Sequence, residues 1–221
     1  MASPPICRRS FVQAMLLDGA ALAAASTVIA QGGGAPAAKG PATKAIRKKV
    51  TPLPPTRQNI EGPFYRPGAP FRTRLFEDAA LGDVLSISGK VLGTDGRPLT
   101  GAVLDVWQAS LEGRYDNGDP DHPPPEGQFQ LRGRIKTDEE GNYKLQTVRP
   151  GAYKLTPLQY RPPHIHLKVT ASGHRDLTTQ FFFRGDPYNK LDPWFKPELA
   201  LDLQPEGKIY VASFDIVLPK T

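Results

Sequence analysis

The chain has 221 residues, of which 39% are hydrophobic, so it can form one domain with a core and some appended sequence. Its 24 prolines and 21 glycines predict many turns and little helix. The formal charge of +6 comes from the start of the chain. Seven of the 28 Lys and Arg and one of the 22 Asp and Glu precede residue 50, which leaves 21 of each in the rest. A domain of zero net charge excludes nucleic acid as the main partner.

The first 30 residues are predicted to be a cleaved export signal. Arg8-Arg9-Ser10-Phe11-Val12-Gln13 resembles the twin-arginine signal, and a mostly apolar run over 14–30 follows it. Val28-Ile29-Ala30 offers small residues where a signal peptidase cleaves. Asp18 inside the apolar run and the modest length of that run argue against a membrane-spanning helix. We therefore expect a periplasmic or extracellular protein without stable membrane insertion after cleavage.

Residues 31–56 have the composition of a flexible linker, with small residues, a basic cluster at 44–49 and several prolines. The domain is predicted over 57–221. The single cysteine, Cys7, lies in the signal, so the mature chain has no thiolate. Any metal in the domain must therefore be bound by nitrogen and oxygen donors.

Short stretches with alternating hydrophobicity, separated by turn signals, run through the domain, and no long stretch has the period of a helix. This pattern predicts an all-β protein, an antiparallel β-sandwich with long loops. Turns at 94–98 and 138–141 are expected to close two strand pairs. The predicted strands are 84–92, 102–108, 128–137, 142–148, 161–169, 177–183 and 209–218.

The strand at 161–169 carries two of the four histidines of the chain. Ile165 and Leu167 alternate with His164 and His166, and successive side chains of a strand point to opposite faces. The two imidazoles therefore project from one face, as a metal site requires. A strand that merely carries two surface histidines is the alternative.

Two tyrosines could complete such a site. Tyr115 follows the strand at 102–108 within Gly113-Arg114-Tyr115, and Tyr153 follows Pro150-Gly151-Ala152. Two phenolates and two imidazoles form a hard donor set that suits ferric iron better than Cu(I) or Zn(II). Tyrosines beside sandwich strands are also common as half-buried packing residues, and spacing alone does not decide between these roles.

The same segments resemble the intradiol ring-cleavage dioxygenases, in unbroken order from Glu61 to Val217. Three groups of motifs follow the Glu61-Gly62-Pro63-Phe64-Tyr65 segment. They are Val106-Trp107-Gln108-Ala109 with Gly113-Arg114-Tyr115, Gly141-Asn142-Tyr143 with Pro150-Gly151-x-Tyr153, and Arg161-Pro162-x-His164-Ile165-His166 with Leu177-Thr178-Thr179-Gln180 and Gly185-Asp186-Pro187. Within the family, the chain is most similar to the protocatechuate 3,4-dioxygenase branch, because 50–84 is too short for the helical dimerisation domain of catechol 1,2-dioxygenases.

The resemblance implies that Tyr115, Tyr153, His164 and His166 bind Fe(III) without haem. It implies that both atoms of O2 are inserted into an ortho-diphenol, of the catechol or protocatechuate type, between the two hydroxyl-bearing carbons. The product would be a muconate-type diacid. Tyr153 would be the ligand that the substrate displaces. Self-association into a homo-oligomer is left open.

The resemblance further implies that Arg161 stabilises negative charge on the bound ring and that Gln180 lines the pocket beside it. Two positions depart from the family pattern: Pro163 stands where alanine is frequent, and Tyr160 stands where protocatechuate enzymes usually have tryptophan. The second departure bears on specificity for aromatic acids.

Two other classes of protein share parts of this pattern. The segment up to Val148 also resembles the transthyretin-like and carboxypeptidase-regulatory sandwich domains, which are binding modules of secreted proteins without a catalytic metal. That resemblance does not explain Tyr115 or the residues from Arg161 to His166. A cupin-type metal site would need a further histidine and a carboxylate, and His122 and His174 both lie in loop-like sequence.

Overall fold

The computed structural model describes residues 51–77, 82–156 and 159–221, and the predicted all-β fold is confirmed within them. The remaining secondary structure consists of 3-10 turns at Pro187–Leu191 and Pro197–Leu199. The strands are β1 (Val84–Gly93), β2 (Val103–Gln108), β3 (Arg132–Lys136), β4 (Asn142–Val148), β5 (Tyr153–Thr156), β6 (Gln159–Arg161), β7 (His164–Thr170), β8 (Leu177–Phe183), β9 (Ala200–Leu201), β10 (Gln204–Glu206), β11 (Ile209–Ser213) and β12 (Ile216–Leu218).

Two five-stranded sheets form the sandwich. The first has the order β10-β11-β1-β12, with β4 also paired to β1, and the second has the order β3-β2-β7-β8-β9. A separate two-stranded sheet contains β5 and β6. Most pairs are antiparallel, but β11 and β12 pair in parallel with β1, and β9 pairs in parallel with β8. Both sheets are therefore mixed, with parallel pairs at β1 inside the first sheet and at β9 on the edge of the second.

The core lies between the two five-stranded sheets. Alternate residues of each strand point inward, as Leu85 and Ile87 do from β1 and Leu104 and Val106 do from β2, and all four are fully buried. Both faces of β7 are covered, because its first four residues are all buried. This burial places His164 and His166 inside the protein and excludes the alternative of two surface histidines.

The two predicted strand pairs are wrong. β1 pairs with β4, β11 and β12, and β2 pairs with β3 and β7, so each predicted turn joins strands of different sheets. At the first turn the two flanking segments form one isolated antiparallel bridge, between Leu92 and Pro98, and no hairpin. Turn residues set the local chain reversal, whereas burial of apolar faces decides which sheet a strand joins.

The predicted signal, and the linker up to residue 50, lie outside the described residues. The described end of the linker is hydrogen-bonded to the sandwich, since Leu53 N donates to Thr94 O (2.8 Å) and Thr56 N donates to Val217 O (3.0 Å). Contacts with the domain therefore begin before the predicted boundary at residue 57. Within the described part of the chain, no helix has the length and apolar character needed to cross a membrane.

Candidate metal centre

The middle of the second sheet positions the two histidines. In register across three neighbouring strands, His166 pairs with Trp107 of β2 on one side and with Gln180 of β8 on the other. The indole of Trp107 stacks on the His166 ring, with centroids 4.8 Å apart and planes at 7°. This packing fixes the imidazole plane, so the sequence-predicted pair is held rigidly.

Three candidate donor atoms converge here. Nε2 of His164 lies 3.1 Å from Nε2 of His166, and the hydroxyl oxygen of Tyr115 lies 3.3 Å from the first and 3.0 Å from the second. His164, His166 and Tyr115 are at most 6% exposed. The structure thus brings together residues that are up to 51 positions apart in the chain.

Burial keeps both histidines neutral. Loss of water and the nearby Arg161 guanidinium lower the pKa of His164 to about 3. Burial, together with the neighbouring His164 ring and the Arg161 guanidinium, likewise lowers the pKa of His166 well below its usual range. Nδ1 of His164 donates to the Pro162 carbonyl at 2.6 Å, which leaves the lone pair on Nε2. A neutral imidazole with a free Nε2 lone pair is the form that binds metals.

A close backbone approach places Tyr115 and Tyr153 side by side. Gly151 N donates to Ser110 O at 2.9 Å, and a Cβ on Gly151 would lie 1.9 Å from Leu111 O. Only glycine at position 151 therefore lets the loop before Tyr153 lie against the loop before Tyr115. The two phenol rings meet edge to face, with centroids 5.8 Å apart.

The two tyrosines have different surroundings. Tyr115 is buried and stacks on Phe64, with centroids 4.2 Å apart and planes at 15°. Tyr153 is half-buried at the start of β5, and its ring centroid lies 5.7 Å from that of His164. Burial raises the pKa of both hydroxyls, and the Arg161 guanidinium counteracts the rise in each. A nearby cation would favour the phenolate forms.

The donor set fits a hard metal ion. Imidazole nitrogens bind metals at roughly 2.0–2.1 Å, so two ligands at right angles lie about 3 Å apart, as Nε2 of His164 and Nε2 of His166 do. One Tyr115 hydroxyl proton cannot satisfy both nitrogens, whereas a cation would satisfy all three atoms. The described residues hold no cluster of three or more His, Cys, Asp or Glu, so a site here requires tyrosine oxygens.

Arg161 and Gln180 lie beside the predicted ligands. Nη2 of Arg161 donates to Oε1 of Gln180 at 2.7 Å, and Nε2 of Gln180 donates to the Ile60 carbonyl at 2.8 Å. Arg161 is paired in register with Tyr153 across β5 and β6. The guanidinium therefore belongs to the same cluster as the candidate ligands.

The remaining histidines lie elsewhere. His122 is exposed and binds Asp119 through Nδ1 at 2.9 Å, while the backbone of His174 forms an isolated antiparallel β-bridge with Lys220. Neither joins His164 and His166, so the cupin-type alternative lacks its further histidine.

Sequence reasoning missed three residues that support this cluster. Asp192 pairs with Arg161, Trp107 stacks on His166, and Arg132 binds the segment that follows Tyr115. Nε of Arg132 donates to Asp116 Oδ1 at 2.7 Å. Trp107 was visible within the Val106-Trp107-Gln108 motif, but nothing in the sequence links Asp192 to Arg161, which is 31 residues away.

A cavity of about 430 Å³ opens beside the two tyrosines and gives access to the cluster. It is lined by Phe64, Gly113, Arg114, Tyr115, Gly118, Asp119, Tyr153 and Lys154. A larger groove of about 890 Å³ borders Tyr115 but not Tyr153, and His164 and His166 line neither opening. We therefore assign the smaller cavity to the site. Tyr160, which differs from the family pattern, is paired in register with Lys154 of the cavity wall and stacks on Tyr188, with ring centroids 5.1 Å apart.

The structure thus defines an all-β sandwich with two histidines and two tyrosines clustered beside a cavity, and comparison with known proteins identifies the family. Residues 60–218 match the profile of a family described as Dioxygenase. The chain belongs to the intradiol ring-cleavage dioxygenase family.

Relatives carry the names of enzymes from several branches. The chain is 36% identical to the chlorocatechol 1,2-dioxygenase of Rhodococcus opacus over 66% of this chain and 64% of that protein. It is 39% identical to catechol 1,2-dioxygenase 2 of Acinetobacter lwoffii over 60% of this chain and 53% of that protein. It is 38% identical to the protocatechuate 3,4-dioxygenase beta chain of Burkholderia cepacia over 62% of this chain and 65% of that protein. The chain thus spans between half and two thirds of these relatives, and its placement in the protocatechuate branch stays a prediction.

Solved structures agree in fold. The dioxygenase domain of a dioxygenase and carbohydrate-binding fusion from Streptomyces sp. SirexAA-E matches 76% of this chain and all of that chain, with 36% identity and a TM-score of 0.65. The 3-chlorocatechol 1,2-dioxygenase of Rhodococcus opacus 1CP matches 75% of this chain and 73% of that chain, with 29% identity and a TM-score of 0.68.

Proposed function

We propose that the chain is a non-haem Fe(III) dioxygenase that cleaves an ortho-diphenol between its hydroxyl-bearing carbons and yields a muconate-type diacid. The observation that carries this proposal is the convergence of two neutral, buried imidazoles and a phenol oxygen within 3.3 Å, with a second tyrosine beside them. Membership of the intradiol family supports the reaction class.

Tyr115, Tyr153, His164 and His166 would hold the metal. Ferric iron bound there would act as a Lewis acid toward both ring oxygens and make the ring reactive toward O2, with no reductant or organic cofactor. Tyrosine oxygens suit a hard trivalent ion and disfavour Cu(I). The buried surroundings of the histidines also keep competing water away from the two nitrogens.

The two tyrosines suit different tasks. Tyr115 is buried under Phe64 and has little freedom to move. Tyr153 is half-buried, lies on the small β5–β6 sheet and lines the access cavity. An incoming ortho-diphenol would displace Tyr153, whose phenolate oxygen is then placed to accept a ring hydroxyl proton.

Arg161 supplies the positive charge of the site. Its guanidinium is 3% exposed and faces the cluster from the strand paired with Tyr153. A fixed cation in a water-excluded site stabilises negative charge that develops on the reacting ring, at no cost of reorganisation. Gln180 holds this cation by accepting from Nη2 at 2.7 Å.

The test is the colour, iron content and O2 uptake of the purified protein. Phenolate bound to ferric iron absorbs visible light, and we expect one O2 consumed per ring with catechol, chlorocatechol or protocatechuate as substrate. His164→Ala should abolish colour and activity, because loss of one ligand weakens the whole set. The matched control, His122→Ala, should retain both, since His122 is exposed. Colourless, iron-free protein inert toward all three rings would favour the binding-module alternative.

We also propose export through the twin-arginine route. Arg8 and Arg9 before an apolar run support it, although residues 1–50 lie outside the described part of the chain. Replacing both arginines with lysine should leave the protein in the cytoplasm, as fractionation and immunoblotting would show. Unchanged export of that variant would refute this route.

A further inference from the structure

A buried carboxylate, which no motif of the chain contains, pairs with Arg161. Oδ2 of Asp192 accepts from Nε of Arg161 at 3.0 Å, and the two side chains are 0% and 3% exposed. Desolvation makes such a pair costly unless its geometry is good and its remaining hydrogen-bonding atoms are satisfied. We therefore expect the remaining hydrogen-bonding atoms of both side chains to have partners of their own.

The second oxygen of the same carboxylate holds a neighbouring wall. Oδ1 of Asp192 accepts from Trp194 N at 3.1 Å, and the Trp194 ring lies 4.8 Å from Cζ of Arg161. Nδ2 of Asn59 donates to the Trp194 carbonyl at 2.8 Å. Asp192 thus fixes the guanidinium directly and also fixes the indole against which the guanidinium packs.

Together with Gln180, these contacts hold three sides of the guanidinium. Asp192 binds Nε, Gln180 binds Nη2, and Trp194 covers the face. The guanidinium also lies beside the hydroxyl of Tyr153, the residue paired with Arg161 across β5 and β6, and counteracts the rise that burial causes in the pKa of that hydroxyl through its charge and a side-chain hydrogen bond. A cation confined in this way keeps its charge beside the candidate ligands, where burial and this charge lower the pKa of both histidines and the charge counteracts the rise in the pKa of both tyrosines.

We propose that Asp192 is a positioning residue of the ring-cleavage reaction, which orients Arg161, and the Trp194 indole packed on it, beside the candidate ligands. This role rests on the proposed function. Among the described residues Asp192 makes no hydrogen bond with the four candidate metal ligands. It acts through its contact with Arg161, and its charge adds to the effect of burial in raising the pKa of Tyr153. Loss of its charge should therefore affect turnover while the metal stays bound.

Asp192→Asn is the variant that tests this role. It retains one acceptor of similar shape but removes the charge and one of the two acceptor oxygens. We expect kcat to fall roughly 10- to 100-fold, as misplaced catalytic groups cause, with KM and the ferric colour close to wild type. Trp194 fluorescence should change too, even in metal-free protein, because one amide oxygen cannot hold both Arg161 Nε and Trp194 N in their present positions.

The matched control is Asp186→Asn. Asp186 is also a buried carboxylate in this part of the chain; it accepts from Tyr188 N at 3.0 Å and lies 3.5 Å from an Arg149 nitrogen, with no contact to Arg161. Its loss should lower stability but leave kcat and the fluorescence unchanged. A structural role for Asp192 would instead make the two variants alike.

A second variant separates positioning from folding. In an Arg161→Leu background, Asp192→Asn should cause no further loss of kcat, because there is no guanidinium left to orient. In the same background it should raise the melting temperature, because it removes an unpaired buried charge. An additive loss of kcat, or wild-type kcat in Asp192→Asn alone, would overturn the positioning role. Wild-type protein inert toward ortho-diphenols would overturn the proposed function, and this role with it, before any variant is compared.

Discussion

The Arg132–Asp116 pair offers a sharp test of how the Tyr115 segment is held. Nε and Nη2 of Arg132 bind Asp116 and Asn117, and the paired side chains are only 1% and 3% exposed. Removing one partner of a buried pair costs about 3–5 kcal/mol, because it leaves an uncompensated charge. Arg66 still binds the other oxygen of Asp116 at 2.9 Å, so we expect the lower end, about 3 kcal/mol.

Arg132→Met should therefore lower the melting temperature by roughly 6–12 °C, at 2–4 °C per kcal/mol for a domain of this size. It should also reduce the ferric colour, because Asp116 directly follows Tyr115. Circular dichroism melts and visible absorption measure the two effects. Arg184→Met is the control: Arg184 and Asp202 are 57% and 60% exposed, and an exposed pair contributes about 0–1 kcal/mol. Equal melting temperatures for the two variants would refute the reasoning.

Three further predictions concern the site. Gly151→Ala should lower the melting temperature and the iron content, since its Cβ would lie 1.9 Å from a backbone oxygen. Gly96→Ala, which has open space around its Cβ but a φ of +77° that disfavours alanine, should lose stability and keep its iron, and equal iron contents would contradict the close-approach argument. Tyr153→Phe should retain much of the metal but turn over slowly, while Tyr115→Phe should weaken the colour persistently; identical spectra with bound substrate would argue against distinct roles. Removing iron with a chelator should bleach the protein and lower its melting temperature, and Fe(III) but not Zn(II) should restore the colour.

The histidine half of the site could be predicted from the sequence because it is local. Alternation along a single strand puts His164 and His166 on one face, and β7 has this geometry. The tyrosines could not be placed in this way. Their proximity depends on contact between two loops, at Ser110 and Gly151, which sequence spacing does not specify. Only the ordered resemblance to a family indicated Tyr115 and Tyr153.

Two other features were beyond sequence reasoning for the same physical cause. Asp192 lies in irregular chain after a 3-10 turn, where no periodicity reports burial, so its pairing with Arg161 appears only in the fold. The strand pairs at the two turns were wrong because the partners of β1 lie at 142–148 and 209–218, far along the chain. Local turn signals carry no information on such distant partners.

The small β5–β6 sheet has an evolutionary consequence. It carries Tyr153 and Arg161 at its paired ends, yet Lys154 and Leu155 between them are exposed and belong to neither five-stranded sheet. Substitutions at these two positions leave the main core intact, whereas substitutions in β7 would open cavities in it. Under the proposed function, mutation of this ribbon would therefore be able to change ring specificity without loss of the folded scaffold. A library randomised at Lys154, Leu155 and Tyr160, screened on substituted ortho-diphenols, tests this consequence.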